Sequence, residues 1–374
     1  MHRRDFVRTM LTAAGGTWAL STPPSQLPAW AAESSTKEKH VPWLAEVQTL
    51  PQTLPETTTQ LPAVLIDDNG QPITSIAAWE QKRKVLRQRW LDFLHPLETP
   101  RIVPKKLTVL EEDRVGEVLR QRVQYAAEPG LLTEGYLLRP LHVEGPLPGL
   151  VVFHSTVDHS IRQPAGVEGV PEKAFGLKFA RKGYITFSPR NFLWPTNDKI
   201  ETGIAMDRFS ARHPESKGMA KMLFDSQLAV DILAAQPGVD RSRLGAVGHS
   251  LGAKEVLYLA AFDDRIKATV SSEGGVGTKF SNWDAPWYLG KTIQQSLPAG
   301  EHHLLLAMAA PRPFLLIGGD SADGDQSWPF IEQALPAYEL YGRPARLGLL
   351  NHKRGHAVPP LAEQRIEEWF DTYL

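Results

Sequence analysis

The sequence predicts an α/β fold: a mostly parallel central sheet with helices on both faces, and a helical extension on its N-terminal side. Three observations carry that expectation. From about residue 105 onward, short apolar runs alternate with amphipathic stretches. The pentapeptide Gly248-His249-Ser250-Leu251-Gly252 stands between one such run and a segment of helical composition. The chain has 374 residues and no cysteine, so a large core must hold it without disulfides.

The first 31 residues read as a leader and not as fold. Arg3 and Arg4 open a twin-arginine pattern, residues 9–20 are modestly apolar, and Ala29-Trp30-Ala31 fits a small-x-small cleavage site. Such a leader implies passage of the folded precursor through the twin-arginine export machinery, to the periplasm or beyond, with a mature chain beginning near Ala32. Residues 32–104 form an N-terminal linker and helical extension. Up to Pro72 they are rich in Pro, Thr, Gln and Ser and read as a linker or an extended wrap. Trp79, Leu86, Trp90, Phe93 and Leu94 then recur at helical spacing, predicting a helix over 76–94 that Pro96 ends.

Residues 105–374 are expected to form the main domain. Segments 118–125 and 131–138 read as a strand pair around the turn Glu128-Pro129-Gly130. Buried strands are expected at 150–153, 184–188, 243–247, 266–271, 314–317 and 346–350. Between and after them, helices are expected at 172–181, 219–235, 253–262, 302–308, 329–341 and 360–373. Charge narrows the partners. With 41 Lys and Arg against 42 Asp and Glu, nothing favours a nucleic acid or an anionic membrane. No apolar run is long enough for a membrane span.

The pentapeptide is where chemistry is expected. A serine on a sharp strand-to-helix turn is exposed above the sheet, and the flanking glycines relieve the crowding that such a turn creates. Its hydroxyl needs a general base, and the base needs an orienting acid. In chain order the base should follow the last strand. His356 suits that place, with Gly355 turning the loop; His352 lies closer to the strand end. The acid is open between Glu273, at the end of the strand after Ser250, and Asp320, one strand later, with Asp323 behind. An oxyanion hole would use the N–H of Leu251 and one donor from Ser155 or Thr156. His154 and His159 read as loop-packing residues. No metal or organic cofactor is expected.

With these residues in place, the chain resembles an α/β-hydrolase from about Val118 to its end. It is most similar to carbohydrate esterases of the acetyl xylan esterase and glucuronoyl esterase kind, and to dienelactone-hydrolase-like proteins. The resemblance rests on the elbow, on Glu273 at its distance from Ser250, and on Ala310-Pro311-Arg312-Pro313. It also includes Lys254, at the place where glucuronoyl esterases carry a sugar-contacting lysine. One departure is informative: those enzymes carry arginine directly after the nucleophile, where this chain has Leu251. Trp283 and Trp287, beside Asn282 and Asp284, are candidate sugar platforms, since aromatic faces pack on pyranose rings. Arg190 to Trp194 is a further candidate wall.

The function expected is therefore that of an exported serine esterase acting on a small-molecule or polysaccharide ester, with deacylation of a neutral carbohydrate foremost. A glucuronoyl esterase, a dienelactone-type lactone hydrolase and a peptidase are the alternatives within catalysis. A hydrolase fold retained only for binding would lack a nucleophile or a base, and candidates for both are present.

Overall fold

Six parallel strands form the centre of one nine-stranded sheet, and three antiparallel strands extend it on one side. The computed structural model describes residues 39–374, apart from 53, 55–59, 143, 196–198 and 343. The twin-arginine pattern and the cleavage point thus lie outside the described residues. Residues His40–Leu374 make one compact unit.

The strands in chain order are β1 (Thr108–Val115), β2 (Val118–Glu128), β3 (Leu131–Pro140), β4 (Leu147–Phe153), β5 (Ile185–Pro189), β6 (Val239–His249), β7 (Ile266–Ser272), β8 (Phe314–Gly318) and β9 (Leu347–Asn351). In space they run β1-β2-β3-β5-β4-β6-β7-β8-β9. The helices are α1 (Ile76–Leu94), α2 (Phe175–Arg181), α3 (Thr202–Arg212), α4 (Gly218–Ala234), α5 (Leu251–Phe262), α6 (His303–Met308), α7 (Trp328–Glu339) and α8 (Pro360–Tyr373).

Alternation along the central strands builds both layers. Val151, Phe153 and Ala246 point to α4 and α5. Leu150, Val152 and Val247 point to α2 and α8. Because both faces are covered, the strands read as continuous apolar runs, which is why the sequence marked them.

Two elements escaped the sequence reading. β1 carries Glu111, Glu112, Asp113 and Arg114 and is exposed from Thr108 to Arg114, so no apolar alternation announces it. It is held to β2 by cross-strand pairs, among them Arg120 with Asp113 at 2.5 Å and Arg122 with Glu111. α3 buries only Ala205 and Phe209, too few for a clear period.

The segment before α1 is packed onto the domain. Val41, Trp43, Leu44 and Val47 join the layer of α2 and α8, with Trp43 on Trp369 at 5.8 Å between ring centroids. Gly348 in β9 lies so close to Val47 that a side chain there would collide with it, at 2.4 Å. Helix α1 belongs to the same apolar cluster as α4 to α7, and Trp90 meets Tyr258 of α5 edge-on at 5.6 Å. The parallel strands bring their carboxyl ends to one side of the sheet. The loops beginning at His154, Arg190, Ser250, Glu273, Gly319 and His352 therefore gather there.

Candidate active site

Ser250 is the single residue between β6 and α5, with φ 61° and ψ −116°. This is a left-handed region that a serine adopts only when its surroundings impose it, at a cost of about 1–3 kcal/mol. The neighbours do impose it. A Cβ on Gly248 would lie 2.1 Å from the Gly252 carbonyl oxygen, and one on Gly252 would lie 2.5 Å from the Phe153 oxygen. The Ser250 N–H donates to the Ser272 carbonyl at 2.8 Å, fixing the elbow to β7. The glycines of the motif are thus required by close approach of β4, β6 and α5.

His356 arrives on the loop after β9. That loop is fastened to the loop after β8 by two backbone bonds: His352 N–H to Gly318 at 2.8 Å and Gly355 N–H to Gly319 at 2.7 Å. Gly355 has φ 64°, which glycine adopts freely. His356 Nδ1 is 3.3 Å from Glu273 Oε2. The His356 side chain is 41% exposed while that of Glu273 is fully buried. Glu273 is the first residue past β7, and both its oxygens are anchored. Oε1 accepts the N–H of Gly319, and Oε2 accepts that of Ala322 at 2.7 Å. No direct hydrogen bond joins Ser250 to His356 among the described residues. The ring of His249, next to Ser250 in the chain, lies 4.6 Å from the His356 ring.

The other two carboxylates do different work. Asp320 Oδ1 accepts from the Asn351 amide at 2.6 Å, and its own N–H donates to the Asp323 carbonyl at 2.9 Å, a turn-forming arrangement. Asp323 is buried and accepts from the N–H groups of Gly275 and Val276, at 2.6 and 2.8 Å, and from the Ser327 hydroxyl at 2.8 Å. Burial pushes its carboxyl up from the ordinary range. It braces the loop that follows Glu273. Of the three candidate acids, the structure brings only Glu273 to His356.

Leu251 opens α5, so its N–H has no intrahelical acceptor. Ser155 is already engaged, its N–H donating to Gln163 Oε1 at 3.2 Å, which leaves Thr156 as the candidate second donor. His154 is buried, and burial lowers its pKa to about 4. Its Nδ1 faces the Ser155 carbonyl at 2.8 Å and its Nε2 accepts the Asn191 N–H at 3.1 Å, so it ties the loop after β4 to the loop after β5. His159 packs beneath Gly169. No group of three metal-ligating side chains exists among the described residues.

Two expected sugar contacts are corrected. Every residue of α5 is buried, so Lys254 turns inward: Nζ stands 3.9 Å over the Trp283 ring and 2.7 Å from Ser281 Oγ. Desolvation lowers its pKa to about 7. Trp283 is fully buried, its indole N–H donating to the Gly275 carbonyl at 2.7 Å, and it offers no face to a ligand. Trp287 is half-buried on the amino end of α4. Two residues the sequence did not single out stand at the histidine: His249, and Lys173, whose Nζ donates to the His356 carbonyl at 3.2 Å. Neither had a local signal, because position and contact alone give them their place.

Comparison with known proteins agrees with this architecture. Residues 133–301 match the Dienelactone hydrolase family. A Bacillus subtilis relative named as a hydrolase, YtaP, is 27% identical over 198 residues, covering 49% of this chain and 63% of its own, less than two thirds of its length. A glucuronoyl esterase from Solibacter usitatus superposes with a TM-score of 0.66 at 17% identity, covering 85% of this chain and 98% of its own. A Bacteroides fragilis chain assigned as an acetyl xylan esterase gives 0.58 at 17% identity, covering 76% and 78%. The chain has the α/β-hydrolase fold, and the stretch 133–301 within it is similar to the dienelactone hydrolase family.

If Glu273 orients His356, Glu273→Gln should cut kcat on p-nitrophenyl acetate by on the order of 10⁴, since an amide favours the wrong imidazole tautomer. Asp320→Asn should change it by no more than about twofold. Steady-state kinetics on the two variants decide the ranking, and the reverse order would transfer the acid role to Asp320.

The buried lysine gives a prediction in pH. Its folded pKa of about 7 lies below the ordinary 10.5. Between those values the unfolded chain binds the extra proton, so stability rises with pH there, and the full penalty is felt below pH 7. Lys254→Met should therefore stabilise the protein at pH 6, by on the order of a few kcal/mol at about 1.4 per pKa unit, and the gain should shrink toward pH 10. Urea unfolding of both proteins at pH 6 and 9.5 measures the difference; a gain that grew with pH would contradict the burial argument.

Proposed function

We propose that this α/β-hydrolase-fold chain, similar over 133–301 to the dienelactone hydrolase family, is an exported serine esterase that removes acyl groups from a neutral carbohydrate. The observation that carries the reading is the strained Ser250 elbow beside a histidine held by a buried carboxylate with both oxygens anchored. Such an arrangement suits nucleophilic acyl transfer.

In this reading the Ser250 hydroxyl attacks the ester carbonyl while His356 Nε2 takes its proton, and Glu273 holds Nδ1. The N–H groups of Leu251 and Thr156 receive the developing oxyanion. His356 then returns the proton to the departing sugar oxygen, leaving an acyl-serine. A water molecule, deprotonated by the same histidine, releases the carboxylic acid and restores Ser250. Apo geometry often leaves the serine–histidine contact long until substrate closes it.

Neutrality of the sugar follows from two side chains. Leu251 puts a buried apolar group where an arginine would favour a uronate, and Lys254 is occupied inside the core. A charged sugar loses a charge-assisted contact of about 1.5–3 kcal/mol, roughly ten- to a hundredfold. The dienelactone hydrolase match favours a second reading, hydrolysis of a small unsaturated lactone.

kcat/KM should accordingly be higher on an acetylated xylo-oligosaccharide than on methyl glucuronate. Ser250→Ala should remove turnover of both, by on the order of a millionfold in kcat. A preference for the glucuronate ester would reverse the specificity argument, and turnover of a dienelactone alone would select the second reading. A folded Ser250→Ala protein with most of its activity would end the serine mechanism.

Export is carried by the leader. Replacing Arg3 and Arg4 together with Lys should retain the precursor in the cytoplasm, because the pair is a receptor-read address. Cell fractionation measures this, and undiminished periplasmic protein would refute the twin-arginine route.

A further inference from the structure

We infer that His249 is a positioning residue for the reaction: its buried ring is the floor on which the His356 imidazole rests, tied to β7 through Ser272. This rests on the serine-hydrolase reading above and adds to it a residue to which the acid–base apparatus gives no role.

The geometry is specific. His249 is the last residue of β6, 1% exposed, and its Nδ1 lies 3.0 Å from Ser272 Oγ. Ser272 also supplies the carbonyl that receives the Ser250 N–H, so one residue of β7 fixes both the elbow and the ring before it. The His249 and His356 rings are 4.6 Å apart between centroids and inclined at 57°. Among the described residues His249 Nε2 is buried without a hydrogen bond of good geometry, the His356 backbone being the polar group that faces this ring. A polar nitrogen so weakly satisfied is costly, and an apolar ring would avoid the cost if packing were the only requirement.

The charges around it explain why a neutral ring is needed. Lys173 approaches the His356 carbonyl from the loop after β4, His352 stands on the loop after β9, and Glu273 faces His356 from the end of β7. Burial, with Lys173 and His356 adding to it, keeps His249 well below the ordinary histidine pKa. His356 must become a cation while it holds the serine proton, and a second cation in ring contact would oppose that state. A neutral imidazole supplies a flat contact and a tie to Ser272 without that opposition. An aliphatic residue could not define the tilt of the His356 ring. Displacement of a catalytic group by about 1 Å can cost a hundredfold.

The test reads Ser250 reactivity directly. The wild type, His249→Ala, His249→Phe, His356→Ala and the His249→Ala/His356→Ala double variant would be labelled with a fluorophosphonate. kcat and KM on p-nitrophenyl acetate would be measured in parallel. His249→Ala should label roughly ten- to a hundredfold more slowly and lose kcat by a similar factor, with KM little changed. His249→Phe, which keeps a flat neutral ring but lacks the tie to Ser272, should recover part of that loss. In the His356→Ala background, removing His249 should cost nothing further. Should His249→Ala not fold, His249→Gln against His249→Phe makes the same comparison, Gln being the slower. Labelling of His249→Ala at the wild-type rate overturns the proposal. So does a Phe variant no faster than Ala (or than Gln), or an equal loss without His356. Wild-type protein that labels at Ser250 but hydrolyses no carbohydrate ester refutes the substrate assignment and leaves this proposal standing. Wild-type protein that does not label at all refutes the serine mechanism and the proposal together.

Discussion

Everything at the catalytic face depends on how closely β4, β6 and α5 approach one another. The carbonyl of Phe153 and the backbone of Gly252 are near enough that no side chain fits between them, and the same is true of Gly248 against Gly252. Between these close approaches Ser250 is held at positive φ. The strain is local, but the bracing is not. Ser272 on the adjacent strand accepts the Ser250 N–H, and the next residue in the chain is Glu273. The strained Ser250 and the buried carboxylate of Glu273 thus share one strand end.

From Glu273 the constraint passes on through backbone amides. Its two oxygens hold the N–H groups of Gly319 and Ala322, which fixes the loop after β8. That loop binds the one after β9 through Gly318 and Gly319, and the second loop delivers His356. Asp323 braces the opposite side by holding Gly275 and Val276. Three successive strand ends are therefore linked mainly by main-chain donors and buried carboxylates, interactions that leave few rotamers to choose from. A carboxylate with both oxygens occupied cannot swing, so the histidine it meets is located by the sheet as much as by its own loop.

The elbow and the parallel core were open to sequence reading because each rests on local pattern: small residues around a serine, and apolar runs on strands covered from both sides. His356 was open to it by order along the chain. The choice among Glu273, Asp320 and Asp323 was not, since all three follow strand ends among small residues, and only hydrogen bonds between distant loops distinguish them. Trp283 shows a different limit. An indole beside Asn and Asp has the same local sequence whether it faces a sugar or the core, and here Tyr258 and His302 enclose it. β1 failed for the opposite reason: its pairing rests on cross-strand charges that look like a solvated loop.

Lys254 joins these points. It lies on a helix buried along its whole length, one turn past the nucleophile, and the loop bearing Ser281 and Trp283 folds over it. The side chain thus packs against that loop from within, at the desolvation cost its lowered pKa records, and the same burial removes it from the surface. With Leu251 also buried at the start of the helix, the first turn of α5 presents no cationic side chain outward. The positive end that remains is the helix terminus itself, with the free N–H groups of its first turn.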